Sequence, residues 1–359
     1  LQRRHGMPDA DPVDTALYGA RVLSRLRASA EQCEFSYPET IGNGRQLPTA
    51  LLQGVGKEAV GVDPGWHAAT LCENASLKSV ADRVPPVAPG EKIARGASTI
   101  DWQTREPFAA FAYGRLGARW LPVFTAGLPA NVRGILIHDV LAGLYEGVQD
   151  QFAIAAWSGD QKARRISVAV DGAFAKHERY ADAQLAEILR LERDRAETLA
   201  ARVVEVDCER GPFTIVSIEE SIDANIAGLN LTLRCDRIDR LTDGSLVILD
   251  YKTGRYRKFL VKGAPADLQL VVYASVMDSP VSGLGLFNVD SQHVEINGAG
   301  PGLWREDNWD ESLGEWMHQV STAAGEIVMG DARMNVGQKL EDARPLALLS
   351  RIAEVRREQ

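Results

Sequence analysis

Apolar residues recur at helical spacing over residues 12–32, where Leu17, Val22, Leu23 and Leu26 share one face. The same period returns at Glu106–Trp120, aligning Phe108, Phe111, Ala112 and Leu116, and again from Arg133 to about Gly147. A long charged helix is predicted from about His177 to Arg202, with Leu185, Ile188, Leu189 and Leu199 turned inward. From residue 213 the period shortens to two. Phe213–Ile218, Leu229–Ile238 and Ser245–Tyr251 read as strands, the last two joined by the turn Thr242-Asp243-Gly244-Ser245. Asp267–Ser275 reads as a helix, Gly283–Val289 and Gln292–Ile296 as short strands, and Trp309–Met329 and Ala343–Arg356 as helices. Helix, three strands, helix, strand is the order of an α/β core carrying extra helices. The first hundred residues are poorly periodic and rich in turn formers, among them Pro38, Gly42-Asn43-Gly44, Pro64-Gly65, Pro85-Pro86 and Pro89-Gly90. Residues 1–100 are therefore expected to form a lead-in, a remnant or linker of a larger protein, and residues 101–359 the functional domain.

Composition narrows the classes. Of 359 residues, 45% are hydrophobic and 25% charged, as in an ordinary folded chain. Forty basic against forty-nine acidic residues give a net charge of -9, which excludes a protein that coats nucleic acid with its whole surface but leaves room for a local basic track. No apolar run is long enough to cross a bilayer, and LQRRHGMPDADP has no apolar signal region, so no membrane partner and a cytoplasmic location are expected. A first residue of Leu1 rather than Met is expected of a fragment or a processed chain. Cys33, Cys72, Cys208 and Cys235 are widely scattered and read as buried thiols of a cytosolic protein. The six histidines form no metal-binding pair spacing. Gly54-Val55-Gly56-Lys57 ends like a phosphate loop, but Leu51 stands where its first glycine belongs and Glu58 replaces the hydroxyl residue, so this chain carries no nucleotide-driven motor.

The segment from Leu231 to Gly254 holds the chemistry. Asp250 and Lys252 lie two apart on a predicted strand and emerge on one face. Asp236 lies on the partner strand, and parity decides where it points. A two-residue loop at Asp243-Gly244 pairs residue 250 with 237 and turns Asp236 to the opposite face. A three-residue loop or a bulge pairs 250 with 238 and sets Asp236 across from Lys252, on the face of Asp250. Gly244 supplies the positive φ that such a loop needs. Two carboxylates about 7–8 Å apart as diagonal neighbours repel, and burying both calls for a cation. Oxygen-rich pockets of this kind suit Mg²⁺ or Mn²⁺. A lysine beside the ion suits phosphoryl chemistry. Taken alone, Asp250-Tyr251-Lys252 reads more readily as an exposed hairpin with an ion pair.

The surroundings reverse that reading. RCDRIDRL…GSLVILDYKTG resembles the PD-(D/E)XK nuclease superfamily, and in particular the RecB-type nuclease domains of bacterial recombination-repair helicase–nucleases, where a G-x-(I)-D-R-(I/V)-D hairpin ends in DYKTG. Gln269 and Tyr273 are similar to the Q-x-x-x-Y motif of that branch, and Arg133-Gly134…His138 to its RG-x-x-x-H helix. A weaker likeness runs through PFAAFAYGRLGA and GDARMN, and the chain looks most like the C-terminal part of AddB-type helicase–nuclease subunits. The resemblance implies an α/β fold with a restriction-endonuclease-like core, a mixed sheet flanked by helices, with helical additions. It implies Asp236 and Asp250 as metal-binding carboxylates, the Tyr251 carbonyl as a further ligand, and His138 as a ligand on the opposite wall. Lys252 would be the catalytic lysine, and Gln269 and Tyr273 would contact the DNA backbone or steady that lysine. Mg²⁺ or Mn²⁺ is the implied cofactor. Asp239 is expected to pair with a hairpin arginine, and Glu219 is a candidate support from the preceding strand.

One departure matters. Many AddB-type nucleases carry a four-cysteine iron–sulfur cluster, with one Cys before a Pro-Phe and three near the C-terminus. Here Glu106 precedes Pro107-Phe108, and Glu341, Arg344 and Ser350 stand at the other positions. A cluster needs thiolates, so none is expected. Lys252, Arg255, Arg257, Lys258 and Lys262 form a basic run with no acid between Tyr251 and Asp267, expected to follow the phosphate backbone, with Tyr256 and Phe259 stacking on bases of a single strand. The expected function is Mg²⁺-dependent DNA hydrolysis, as an exonuclease in recombination and double-strand-break repair. The expected partners are DNA and a helicase subunit, or a motor domain on a longer parent chain. The alternative is a catalytically inactive nuclease-like DNA-binding or scaffold subunit of a helicase–nuclease complex. A hydrolase of small phosphates fits the basic-aromatic run less well.

Overall fold

The computed structural model describes residues 11–31, 33, 35–38, 40–53, 83–119, 127–178, 183–303, 308–334 and 346. It falls into two units, Leu1–Ser79 and Val80–Gln359. In the first, Asp11 accepts the Val13 amide and Pro12 opens helix α1, Pro12–Ala28. None of its residues is buried, so the expected inward face of Leu17, Val22, Leu23 and Leu26 has no core. Two short strands, β1 (Thr40–Ile41) and β2 (Gly44–Arg45), pair across Gly42-Asn43.

The second unit begins at Val80. Strand β3 (Lys92–Ile93) joins its main sheet and helix α2 (Ala97–Arg105) puts Ile100 in its core. Helix α3 (Pro107–Ala109) runs into a π turn, Ala110–Arg115. The wider turn shifts the phase of the inward face. Ala109, Ala112 and Tyr113 are buried while Leu116 is exposed, contrary to the regular helix expected there. Helix α4 (Ala130–Tyr145) forms where the RG-x-x-x-H stretch predicted one, and α5 (Gln151–Ala155) follows. The single charged helix expected at 177–202 is instead two, α6 (Gly159–Glu178) and α7 (Ala183–Glu209). Helix α6 buries Ile166, Ala169, Val170, Ala173 and Phe174, a helical stripe with two alanines and hence faint in the sequence.

Strands β4 (Phe213–Ile226) and β5 (Leu229–Leu241) form a hairpin whose turn residues, Ala227 and Gly228, both have positive φ, 49° and 89°, as a type I′ turn requires. Strand β6 (Leu246–Lys252) is buried on both faces, which explains its unbroken Leu-Val-Ile-Leu run. After the small hairpin β7 (Leu260–Val261) and β8 (Ala264–Pro265) come α8 (Gln269–Ala274), β9 (Val281–Val289), β10 (Val294–Ala299) and α9 (Trp309–Val328). The helix expected at Ala343–Arg356 lies outside the described residues apart from Leu346, which packs on Ala109, Ala112 and Tyr113.

Among the described residues the main sheet has six strands, in the order β10-β9-β6-β5-β3 with β4 also on β5. Strands β6 and β9 run parallel, as do β3 and β5, and the other pairs are antiparallel. Leu246 and Ile248 pack toward α8 and α9, whereas Val247, Leu249 and Tyr251 pack toward α4, α6 and α7. The result is a mixed sheet between two helical layers, the α/β architecture expected. Among the described residues no helix is long and apolar enough to cross a membrane.

Candidate active site

The β5–β6 loop comprises residues 242–244: the Leu241 amide bonds to the Ser245 carbonyl, and Gly244 takes φ 87°. The loop has three residues, but the pairing differs from the one expected. Arg237 faces Leu249, so position 236 comes opposite position 250, not across from Lys252. Asp236 does not share the face of Asp250: it reaches His138 on the α4 side, whereas Asp250 turns to Lys252 on the α8 side. Sequence does not decide which three residues turn. Beyond Arg237 the partners of this edge change, since β6 pairs with residues 237–240 of β5 and β3 with residues 230–231. Strand β6 thus ends where the edge opens, and its last residues are Asp250, Tyr251 and Lys252.

A second irregularity faces the first. Leu229, Leu231, Leu233 and Cys235 point into one core layer, and Ile238 points into the same layer, so the inward parity of β5 changes around Asp236. Its partner at that point is Glu219, bracketed by the pairs Ile218–Arg237 and Glu220–Cys235, and Glu219 has φ 51°. A glutamate in the left-handed region costs on the order of 1 kcal/mol and is held there only by its surroundings. The kink turns both carboxylates toward α4. There Gly134 makes room for the end of β6, since a Cβ would lie 3.1 Å from Thr253 Oγ1. One turn on, His138 Nδ1 lies 3.1 Å from Glu219 Oε1 and 3.5 Å from Asp236 Oδ2, while its Nε2 lies 3.1 Å from the Tyr251 carbonyl. Asp236 Oδ2 also accepts the Tyr251 amide at 2.7 Å.

His138, Glu219 and Asp236 offer ligand atoms all within 4.8 Å of one another. Burial pulls the imidazole pKa down, but Asp236 and Glu219 outweigh it and raise it to about 10. The group demands positive charge. A divalent cation meets the same demand with the imidazole neutral, so one nitrogen, two carboxylates and a carbonyl fit Mg²⁺ or Mn²⁺. Asp250 is turned elsewhere: its Oδ2 pairs with Lys252 Nζ at 2.5 Å and receives no aligned hydrogen bond. Burial and then Asp236 push the Asp250 carboxyl up to about 7, with Lys252 offsetting part of the rise.

On the α8 side, Lys252 Nζ donates to Gln269 Oε1 at 2.9 Å, Gln269 Nε2 to the Tyr273 hydroxyl at 3.0 Å, and that hydroxyl to the Arg234 carbonyl at 2.6 Å. Asp101 of α2 fixes the start of α8 by accepting the Leu268 amide at 3.0 Å. Gln269 thus bridges the Lys252 ammonium to the Tyr273 hydroxyl. Behind the strands, Arg237 is fully buried and bonds to Asp207 and Asp239 at 2.7 Å each, while Arg210 bridges the same two carboxylates at 3.0 and 2.7 Å. Asp239 thus has the arginine partner expected. Arg237 also lies over the Tyr145 ring and 3.4 Å from the Tyr251 hydroxyl, tying this network to the end of β6.

The structure gathers His138, Asp236, Asp250, Tyr251, Lys252, Gln269 and Tyr273 at one strand end. It adds Glu219 to the group and, unforeseen, Arg234, whose Nε lies 2.7 Å from Glu219 Oε2. Arg255, Arg257, Lys258 and Lys262 are exposed on the loops after β6, and Asn288 pins that backbone by bonding both the amide and the carbonyl of Arg257. Phe259 does not join them. It is buried edge-on against Trp316, with its amide held by Asn297, and cannot stack on bases. Tyr256 packs on His293 instead. Of the cysteines, Cys235 is buried, but Cys33 is exposed and Cys208 half-buried, contrary to the uniform burial expected, and Cys72 lies outside the described residues. Glu106, at the first cluster position, is buried; positions 341, 344 and 350 lie outside the described residues.

The family model of the PD-(D/E)XK nuclease superfamily matches residues 103–354. No curated protein matches the chain.

Proposed function

The chain belongs to the PD-(D/E)XK nuclease superfamily and has its restriction-endonuclease-like fold, and from that premise we propose that it is a RecB-like, metal-dependent deoxyribonuclease, an exonuclease serving recombination and double-strand-break repair. The observation that carries this reading is the convergence of His138, Glu219 and Asp236 beside the Asp250–Lys252 pair. His138, Glu219, Asp236 and the Tyr251 carbonyl would hold Mg²⁺ or Mn²⁺, whose chemistry is to polarise a phosphoryl oxygen and acidify water. Lys252, aimed by Gln269, places a positive charge where charge develops on the phosphate or the attacking water. Asp250 anchors that ammonium. Arg255, Arg257, Lys258 and Lys262 form a basic edge that would follow the strand as a phosphate track. A motor to feed such an exonuclease would come from a helicase subunit or from a domain on a longer parent chain.

Calorimetric titration with Mn²⁺ tests the ion site directly. The parent is expected to bind Mn²⁺ with an affinity that Asp236→Asn lowers by about tenfold or more, because one charged ligand is lost and the scale for even outer partners is 10–100-fold. Equal affinity in both proteins would place the ion elsewhere.

A further inference from the structure

The cleft between α4 and the kinked hairpin has a volume of about 340 Å³, with Asn131, Ile135 and His138 on one wall and Glu219, Arg234 and Asp236 on the other. Arg234 is the cation in it that the proposed chemistry does not use. Its side chain is 60% exposed although Nε is held 2.7 Å from a glutamate that is itself almost buried. An ion pair that exposed adds little stability. What it does is set the guanidinium in place. Glu219 divides its oxygens, one toward His138 and one toward Arg234, and its φ of 51° fixes that carboxylate in the cleft. The Arg234 backbone is fixed as well, since its carbonyl accepts the Tyr273 hydroxyl at 2.6 Å. Among the described residues the terminal guanidinium nitrogens make no hydrogen bond, and Arg234 lines the open cleft.

We propose that Arg234 anchors a phosphate subsite, binding a phosphodiester of the DNA strand other than the one that Lys252 faces. Sidedness separates the two. Lys252 is held by α8 on one side of the sheet, whereas Arg234, alternating with Leu233 and Cys235, lies on the other side and lines the cleft against α4. A planar fork with its terminal donors free matches two oxygens of one phosphate. Fixing it beforehand spares the ordering that a free arginine undergoes on binding. The α4 wall opposite carries an amide, Asn131, an exposed apolar side chain, Ile135, and an acid, Asp139, but no cation besides His138, so within the lining Arg234 is the group suited to a phosphate. The inference rests on the reading of this cleft as a DNA site.

The test walks a single uncharged methylphosphonate along a labelled single-stranded oligonucleotide and measures its binding to the full chain in Ca²⁺. For the parent, one position away from the scissile phosphate should weaken binding about tenfold, the scale of one charge-assisted hydrogen bond. Arg234→Ala and Arg234→Gln should each bind unmodified DNA about tenfold more weakly and lose nothing further at that position. Arg234→Lys should recover part of the loss. If Arg234→Ala binds like the parent, or shows the same methylphosphonate profile, the subsite is refuted. Cleavage of unmodified DNA by the parent in Mg²⁺ is read in parallel. A parent that shows the Arg234-dependent profile but never cleaves upholds the subsite and refutes the nuclease, and a parent that binds no DNA refutes both.

Discussion

Lys252→Ala should cleave DNA about 10²–10³-fold more slowly than the parent while binding Mn²⁺ and DNA almost as well, the loss found when one preorganised donor of charge is deleted. The ammonium is held by Asp250 at 2.5 Å and Gln269 at 2.9 Å, so it is aimed before substrate arrives. It is not among the groups that would hold the ion. A charge acting chiefly on the transition state changes the rate and leaves ground-state affinity in place. The fold tolerates the change because Asp250, already raised to about 7, can take a proton instead of standing as a bare buried charge. Single-turnover cleavage with parallel binding curves measures both quantities. A rate within about threefold of the parent would exclude Lys252 from catalysis, since removing such a group should cost far more.

Arg237→Ala should lower the free energy of unfolding by about 3–5 kcal/mol, the range for removing one member of a buried ion pair. Arg237, Asp207 and Asp239 are all fully buried, and without Arg237 two carboxylates share Arg210 alone. Acid sensitivity should move too. Burial pushes the Asp207 carboxyl up, but Arg237, Arg210 and the Tyr145 hydroxyl outweigh it and hold it below its ordinary value of 3.8. A depressed carboxyl stabilises the fold above its unfolded pKa, and that contribution is lost as the pH falls through the folded value. With Arg237 gone the depression shrinks, so acid unfolding should begin at a higher pH. Urea melts across pH check both statements, and a loss under about 1 kcal/mol would mean that the network had relaxed around the gap.

These two residues differ in how far the chain discloses them. Asp250 and Lys252 were legible as a pair from their strand spacing, and Asp236 as a candidate from parity, whereas His138, Gln269 and Tyr273 were legible only through the resemblance of their motifs to the nuclease family. Arg237 reads as one more hairpin arginine. Its burial follows from Asp207, which arrives from a helix 30 positions upstream. Glu219 was visible as an acid on the preceding strand, but its left-handed backbone was not, because nothing in a glutamate favours φ 51°. Arg234 was hidden for the same reason. Alternation with Leu233 and Cys235 gives its face, but not its partner, since Glu219 reaches it only through that left-handed backbone. Phe259 sat among exposed basic residues in the sequence, yet Asn297 and Trp316 draw it into the core. Helix α6 was missed because two of the five residues of its inward stripe, Ala169 and Ala173, are alanines, which long-period patterns weigh lightly.

The central claim is that the His138–Glu219–Asp236 group, with Asp250 and Lys252 beside it, makes this chain a metal-dependent deoxyribonuclease. The most direct measurement is digestion of end-labelled single- and double-stranded DNA by the full chain in Mg²⁺, in Mn²⁺ and in excess chelator, with Asp236→Asn as control. Cleavage in either ion, lost in chelator and in the variant, is the expected result. DNA that is bound but stays intact in both ions would contradict the claim and leave the chain a nuclease-like scaffold.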